Sequence, residues 1–277
     1  MKTIQTIGFA AGAAANNVDT ALGPWYWYYH PELFKAFHLN LKFLDMIEYT
    51  CIEKGQAVLP QLQQALYRLS SSIQKNWSQD GPLLVLGGDH SVAMGTWPYI
   101  TQVYRTLGLL WVDAHLDAHT PDSSTTKNLH GMPLAKLLGL WGDKRVFSPE
   151  QVCVIGIRSY EPKEYHHLQS LGVKLIMMDE ILQKGLSKTL QEAIDYLKNN
   201  CTHLGLSIDL DAFDPIDCPG VGYRENNGIR SQDFFDFFQR LAYKDWVAIE
   251  IAEFNPIQDI EQKTALWLPQ FLKHLLG

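Results

Sequence analysis

Asp113-Ala114-His115-Leu116-Asp117 sets three metal-capable side chains at alternating positions. Two carboxylates supply charge and hard oxygen donors, and the imidazole between them adds a softer nitrogen, a set that suits a divalent cation. The stretch follows the apolar run Leu107 to Val112, so its polar residues fall at the downstream edge of a buried strand. Taken alone, the pattern is equally that of a surface loop with ordinary salt bridges. Other apolar runs end in the same way: Leu83 to Leu86 in Gly87-Gly88-Asp89-His90, His203 to Ile208 in Asp209-Leu210-Asp211, and Trp246 to Ile251 near Glu253. Asp89 reads either as an acceptor for a ligating histidine or as a strand-exit cap.

The elements that must carry these residues alternate between apolar and amphipathic stretches. Ile4 to Phe9, Gln151 to Ile157 and Val173 to Met178 are further strands, and Leu39 to Met46 is another apolar element. Helical spacing runs over Gln56 to Lys75, Ser91 to Arg105 with a bend or restart at Pro98, and Leu134 to Leu140. It recurs over Glu161 to Leu171, Glu180 to Lys198, a stretch capped by Ser231 and reaching about Tyr243, and Ile260 to Leu276. Leu33 to Phe37 starts a short helix, and Asn16 to Pro24, His119 to Asn128 and Asp214 to Gly228 are loops. The aromatic block Trp25 to His30 lines a pocket, meets another subunit or packs in the core. Strands alternating with helices predict an α/β fold whose mostly parallel sheet is covered on both faces. No linker or repeat divides the chain, so residues 1–277 are read as one domain.

In an open parallel sheet the carboxyl ends of the strands form the ligand-binding edge. Asp113, Asp117, Asp209, Asp211 and Glu253, with His90 and His115, can therefore converge. So many charges in one cleft need partners. Two divalent cations balance the four aspartates and also lower the pKa of a water held between them.

The motifs GGDH at 87–90, DAHLD at 113–117, NLHGMP at 128–133, SIDLDAFDP at 207–215 and EFNP at 253–256 occur in the order found in the arginase/agmatinase (ureohydrolase) superfamily, which this sequence resembles. The first 80 residues match more weakly. The resemblance implies a three-layer αβα fold and two Mn²⁺ ions per subunit, although the ligand types also admit zinc, iron, cobalt or nickel. It assigns His90, Asp113, Asp117 and Asp209 to one ion, and Asp113, His115, Asp209 and Asp211 to the other, with Asp113 and Asp209 bridging. It implies hydrolysis of a guanidinium C–N bond by a bridging hydroxide, with Asp211 handling a proton, Glu253 holding the guanidinium and His130 shuttling protons to solvent. Read without the family, a histidine before Gly-Met-Pro is a loop or packing residue.

His130-Gly131-Met132-Pro133 and the preceding loop are closer to arginase than to agmatinase. In arginase-like members that loop reads the α-carboxylate of an amino-acid substrate, and the matching positions are His119, Thr126 and Asn128. Thr126 keeps a hydroxyl where serine is commoner, Asn128 keeps the amide, and His119 departs from an asparagine. Two aspartates that read the α-amino group are matched by Ser159 and Glu161, and Glu161 is equally placed to cap a helix beside Pro162. Tyr223 stands where a threonine borders the guanidino pocket and narrows it. The expected reaction is therefore L-arginine to L-ornithine and urea. The alternatives are agmatinase or another guanidino- or formimino-compound hydrolase, and an inactive metal-binding scaffold. A dinucleotide-binding module lacks its glycine fingerprint, and Ser91 lacks a nucleophile-elbow context.

Composition narrows the remaining classes. The chain is 46% hydrophobic and 19% charged, enough apolar content for a sizeable core. Its formal charge of -7 disfavours a nucleic-acid surface. Cys51, Cys153, Cys201 and Cys218 form no CxxC pair and read as reduced thiols. No export signal or membrane-spanning run is evident, so a cytoplasmic protein without membrane partners is expected. The family resemblance implies a homotrimer or homohexamer.

Overall fold

The computed structural model describes residues 1–15, 17–49, 55–142, 144–241 and 246–276. Its sheet is built from β1 (Lys2–Ala10), β2 (Leu39–Glu48), β3 (Leu83–Gly87), β4 (Leu107–Val112), β5 (Val152–Ile157), β6 (Lys174–Met177), β7 (His203–Asp209) and β8 (Trp246–Ala252). The spatial order is β2-β1-β3-β8-β7-β4-β5-β6. Every pairing is parallel. The apolar runs explain this arrangement. In β4 every residue is buried; Leu110 and Val112 join the core on one face, while Leu107, Leu109 and Trp111 join the core on the other. In β3, Leu84 and Leu86 divide from Leu83 and Val85 in the same way. Strands covered on both faces have no polar side to show, and each fully buried leucine contributes about 1.5–3 kcal/mol.

The helices are α1 (Leu22–Tyr29), α2 (Glu32–Lys35), α3 (Leu59–Asn76), α4 (Ala93–Val103), α5 (Pro133–Leu137), α6 (Pro162–Leu171), α7 (Met178–Lys184), α8 (Leu186–Asn200), α9 (Ser231–Arg240) and α10 (Lys263–Leu276). Pro98 and Pro269 lie inside α4 and α10 without ending them.

Four expectations change. The Asn16–Pro24 loop is a 3-10 turn at Val18–Ala21 running into α1; Asn16 itself is outside the described residues. The aromatic block forms the body of α1, where Trp27 stacks on Phe254 at 4.4 Å and Tyr26 meets it edge-on. It backs the exit of β8 from the core side. The helix expected over Glu180–Lys198 is two helices, because Gly185 (φ 86°) breaks it and leaves Leu182 exposed. Ser231 is the first residue of α9 rather than its cap; its N–H is accepted by the Asp217 carboxylate at 2.9 Å. Cys51 and Tyr243 lie outside the described residues. Among the described residues no helix is long and apolar enough to cross a membrane.

Candidate active site

Leu86, Ile251, Ile208, Val112 and Ile155 pair in one row across β3, β8, β7, β4 and β5. Five strands therefore end side by side, and residues far apart in sequence emerge along one line. The exit of β3 is also drawn against β1. Gly88 and Asp89 donate to Phe9 and Ala11 carbonyls, and a Cβ on Gly88 would stand 1.9 Å from the Ala11 oxygen. Only glycine allows that approach. Asp89 completes the turn by accepting from the Ser91 N–H and hydroxyl and from Ala14 N–H. It is thus the strand-exit cap, its carboxylate bonded to Ser91 and Ala14 rather than to the His90 or His115 ring. Its carboxyl is pushed up to about 6 by burial and by Glu253.

His90 is fully buried and stacks on Trp111 at 4.2 Å. Its Nε2 lies 3.0 Å from Ser207 Oγ, which donates to Glu250 Oε1 at 2.8 Å; Trp97 Nε1 donates to the same oxygen. With the proton on Nε2, the relay runs from imidazole to hydroxyl to carboxylate. Nδ1 then presents a lone pair to Asp117 Oδ2 at 3.1 Å and to Asp113 Oδ2 and Asp209 Oδ2 at 3.3 Å. His90 Nδ1 and Asp117 Oδ2 are buried without a hydrogen-bond partner. Lone pairs facing one another in a dry site need a cation or bound protons, and the donor set fits a divalent ion.

His115 forms a second focus. Its Nδ1 lies 3.0 Å from Asp211 Oδ2 and 3.6 Å from Asp113 Oδ1. Asp113 therefore turns one oxygen to each histidine. Trp111 Nε1 and the His115 N–H fix that carboxylate at 2.9 and 2.7 Å. Asp209 is turned to the His90 side by Oδ2, while its Oδ1 accepts from the Asp211 N–H at 2.9 Å. Two ligand groups result, His90–Asp113–Asp117 and Asp113–His115–Asp211. Asp117 holds a left-handed backbone (φ 48°), with its carbonyl accepting from Leu134 and Ala135 at the start of α5. Burial and neighbouring carboxylates raise the Asp209 and Asp211 carboxyls and push Asp117 to about 7. Against its own burial, the surrounding carboxylates lift His90 well above the usual imidazole value. Without cations the cluster takes up protons, which cation binding must displace.

Above the cluster opens a cavity of about 320 Å³. His119, Thr126, Asn128, His130, Glu161, Tyr223 and Glu253 all line it, so every expected substrate contact is brought to one place. Glu253 sits at φ 68° and is nearly buried. Its Oε1 accepts from His90 N–H at 3.0 Å and lies 3.3 Å from His130 Nδ1, while Oε2 is buried without a hydrogen-bond partner. A Cβ on Gly222 would come within 2.9 Å of that free oxygen. Tyr223 stacks on His130 at 5.7 Å and forms one wall. Against the burial that would lower it, Glu253 lifts His130 to about 8.

Residues missed from the sequence also line this wall. Glu164 sits 3.1 Å from His119 Nε2, closer than Glu161 at 3.5 Å. It stands one turn into α6, and Glu161 N–H donates to it in a capping box. The signal was an E-P-x-E spacing that puts two acids at one helix start. Glu161 thus both caps α6 and faces the cavity. Ser124 and Tyr160 line it as well, and so does Ser159, which the sequence already matches to an α-amino-reading position.

A model of the arginase family matches residues 4–277. The chain belongs to the arginase family. Arginase of Bacillus subtilis (strain 168) is 36% identical over 301 aligned positions, covering 100% of this chain and 98% of its own. The native arginase structure from Bacillus caldovelox superposes with a TM-score of 0.89 at 31% identity, covering 100% of this chain and 99% of that one. Entamoeba histolytica arginase, solved in complex with L-ornithine, matches with a TM-score of 0.87 at 25% identity and full coverage of both chains. This arginase-family chain is a hydrolase of guanidino C–N bonds, and the arginase reading is favoured over the agmatinase and scaffold alternatives.

Proposed function

We propose that residues 1–277 form one catalytic unit that hydrolyses L-arginine to L-ornithine and urea with two Mn²⁺ ions. The observation that carries the reading is the stacking of two histidine–aspartate groups, joined by Asp113, beneath a cavity whose buried Glu253 oxygen is unpaired. One ion would be held by His90, Asp113, Asp117 and Asp209, and the other by Asp113, His115, Asp209 and Asp211. When bound, such a pair supplies Lewis acidity that makes a water between them nucleophilic near neutral pH.

The chain's own residues account for the remaining chemistry. Glu253 Oε2 accepts guanidinium N–H groups and turns the guanidinium carbon toward the carboxylate cluster. Asp211, at the cavity floor, accepts the proton lost by the attacking water and passes it toward the leaving nitrogen. His130, whose Nδ1 lies 3.3 Å from Glu253 Oε1 at the cavity wall, supplies a proton to the departing amine. Thr126, Asn128 and His119 face the α-carboxylate, and Glu161 with Glu164 faces the α-ammonium. A cytoplasmic homotrimer or homohexamer belongs to the same reading; the exposed faces of Tyr28 and Tyr29 support a subunit contact.

The decisive experiment measures urea release by the Mn²⁺-loaded protein from L-arginine and from agmatine. Turnover of arginine without comparable turnover of agmatine is expected, and the reverse preference overturns the assignment.

A further inference from the structure

The two histidines of the carboxylate cluster share an arrangement. Each turns Nδ1 toward aspartates and Nε2 away from them. Behind His90 the Nε2 side is closed by Ser207 and Glu250, all buried. Behind His115 the corresponding atom lies 3.5 Å from Glu225 Oε1. Glu225 belongs to the 214–228 loop, and its side chain is 34% exposed against 29% for His115, so this outer support is open to solvent where the inner one is not.

The loop is not loosely hung. Arg158, at the end of β5, donates from Nη2 to both the Asp211 carbonyl at 2.7 Å and the Glu225 carbonyl at 2.8 Å. Its Nη1 reaches the Gly156 and Ala212 carbonyls, and its Nε the Asn226 carbonyl. One guanidinium therefore ties the backbone of Asp211, which faces His115 Nδ1, to the backbone of Glu225, which faces His115 Nε2. The imidazole is gripped from both ends by residues anchored to the same cation.

We propose that Glu225 is the positioning residue for the His115 metal site: it accepts the Nε2 proton, fixes the ring's tautomer and aims Nδ1 at the ion. This rests on the two-ion reading above. A carboxylate behind a ligating histidine raises the ring's donor strength and removes its rotational freedom, and losing such a partner typically costs about 10–100-fold in metal affinity. The effect belongs to one ion, because His90 has its own buried relay.

The test is Mn²⁺ titration of the metal-stripped full chain against a competing chelator, with bound metal counted after gel filtration, for wild type, Glu225→Ala and Glu225→Gln. Wild type is expected to bind two ions. Glu225→Ala should weaken the second ion about 10–100-fold and leave the first within about twofold. Glu225→Gln, which keeps an acceptor oxygen, should recover part of the loss, a rescue that mere loop repair would not give. Two ions bound to Glu225→Ala with wild-type affinities would overturn the role of Glu225 and leave the two-ion reading standing. Fewer than two ions on wild type would overturn both. Circular dichroism and melting temperature establish that each variant is folded; a variant that loses both ions together counts against the proposal.

Discussion

The floor and the rim of the cavity are built by different means. On the floor, His90, Asp113, Asp209 and Asp211 stand within a few residues of strand ends, are at most 4% exposed, and inherit their spacing from the hydrogen-bonded sheet. On the rim, residues 119–128, 159–161 and Tyr223 lie on loops held by side chains. Lys127 Nζ donates to the Pro121 carbonyl at 2.7 Å, Ser124 Oγ accepts from Lys127 N–H, and Arg158 clamps five carbonyls. A sheet edge fixes positions to a fraction of an ångström at the cost of variety, whereas a loop admits new side chains without disturbing the layer beneath. Reaction chemistry and substrate choice are therefore mechanically separable here. Floor changes should act on every substrate alike, and rim changes on one relative to another.

The strongest challenge to that separation is Asp113→Ala. Asp113 offers an oxygen to each histidine group and also accepts from Trp111 Nε1, so its removal empties the middle of the floor. Both ions should be lost, and urea production should fall by at least about a thousandfold with arginine and agmatine alike, since the nucleophile depends on the cations. Metal analysis alongside turnover decides it. Normal metal content, or a loss confined to one substrate, would show that the floor does not act as a unit.

A smaller, selective effect is expected on the rim. Asn128 is 8% exposed, lines the cavity, and donates its backbone N–H to Thr126 Oγ1 at 3.3 Å. In the reading proposed above, its amide would meet the carboxylate that arginine carries and agmatine lacks. Asn128→Ala should lower kcat/KM for L-arginine by about 10- to 100-fold, the range for a lost hydrogen bond to a charged group. The value for agmatine should stay within about twofold. Equal losses for both substrates would mean that Asn128 supports the loop and does not read the carboxylate.

The same division governs what the sequence makes legible. Floor residues are readable because a continuous apolar strand ends abruptly in Asp, His or Glu, and a parallel sheet sends all such ends to one edge. The all-parallel order with β8 between β3 and β7 is not visible, because nothing local in β8 names its neighbours. Breaks set by a single dihedral also escape: Gly185 at φ 86° splits a stretch whose apolar spacing continues across it. On the rim, Glu164 is masked in the sequence by Glu161, an acid three residues earlier that suits the same role. Glu225 was invisible because its contact with His115 spans more than a hundred residues and depends on where Arg158 pulls the loop. Asp217, not Ser231, caps α9 for the same reason: the acceptor comes from a distant turn.

The smallest effect tests how far the rim's separation extends along one loop. Asp217 lies in the loop that carries Glu225, but away from the cavity. Its carboxylate accepts from the Ser231 N–H at 2.9 Å and from Arg230 Nε and Nη2 at 2.9 Å. Against the partial burial that would raise it, Arg230 and that N–H hold the carboxyl below its ordinary value. A carboxyl depressed in the folded state contributes stability that is present above the unfolded pKa and disappears as pH falls through the folded one. Asp217→Ala should therefore cost about 1 kcal/mol at pH 7, chiefly as a lost helix cap because the exposed ion pair adds little. The melting temperature should drop by about 2–4 °C, and the difference from wild type should shrink below about pH 4. The ratio of arginine to agmatine turnover should not move. If that ratio shifts with Asp217→Ala, strain in the outer loop reaches the pocket at Tyr223, and the rim is one coupled element rather than a row of independent contacts.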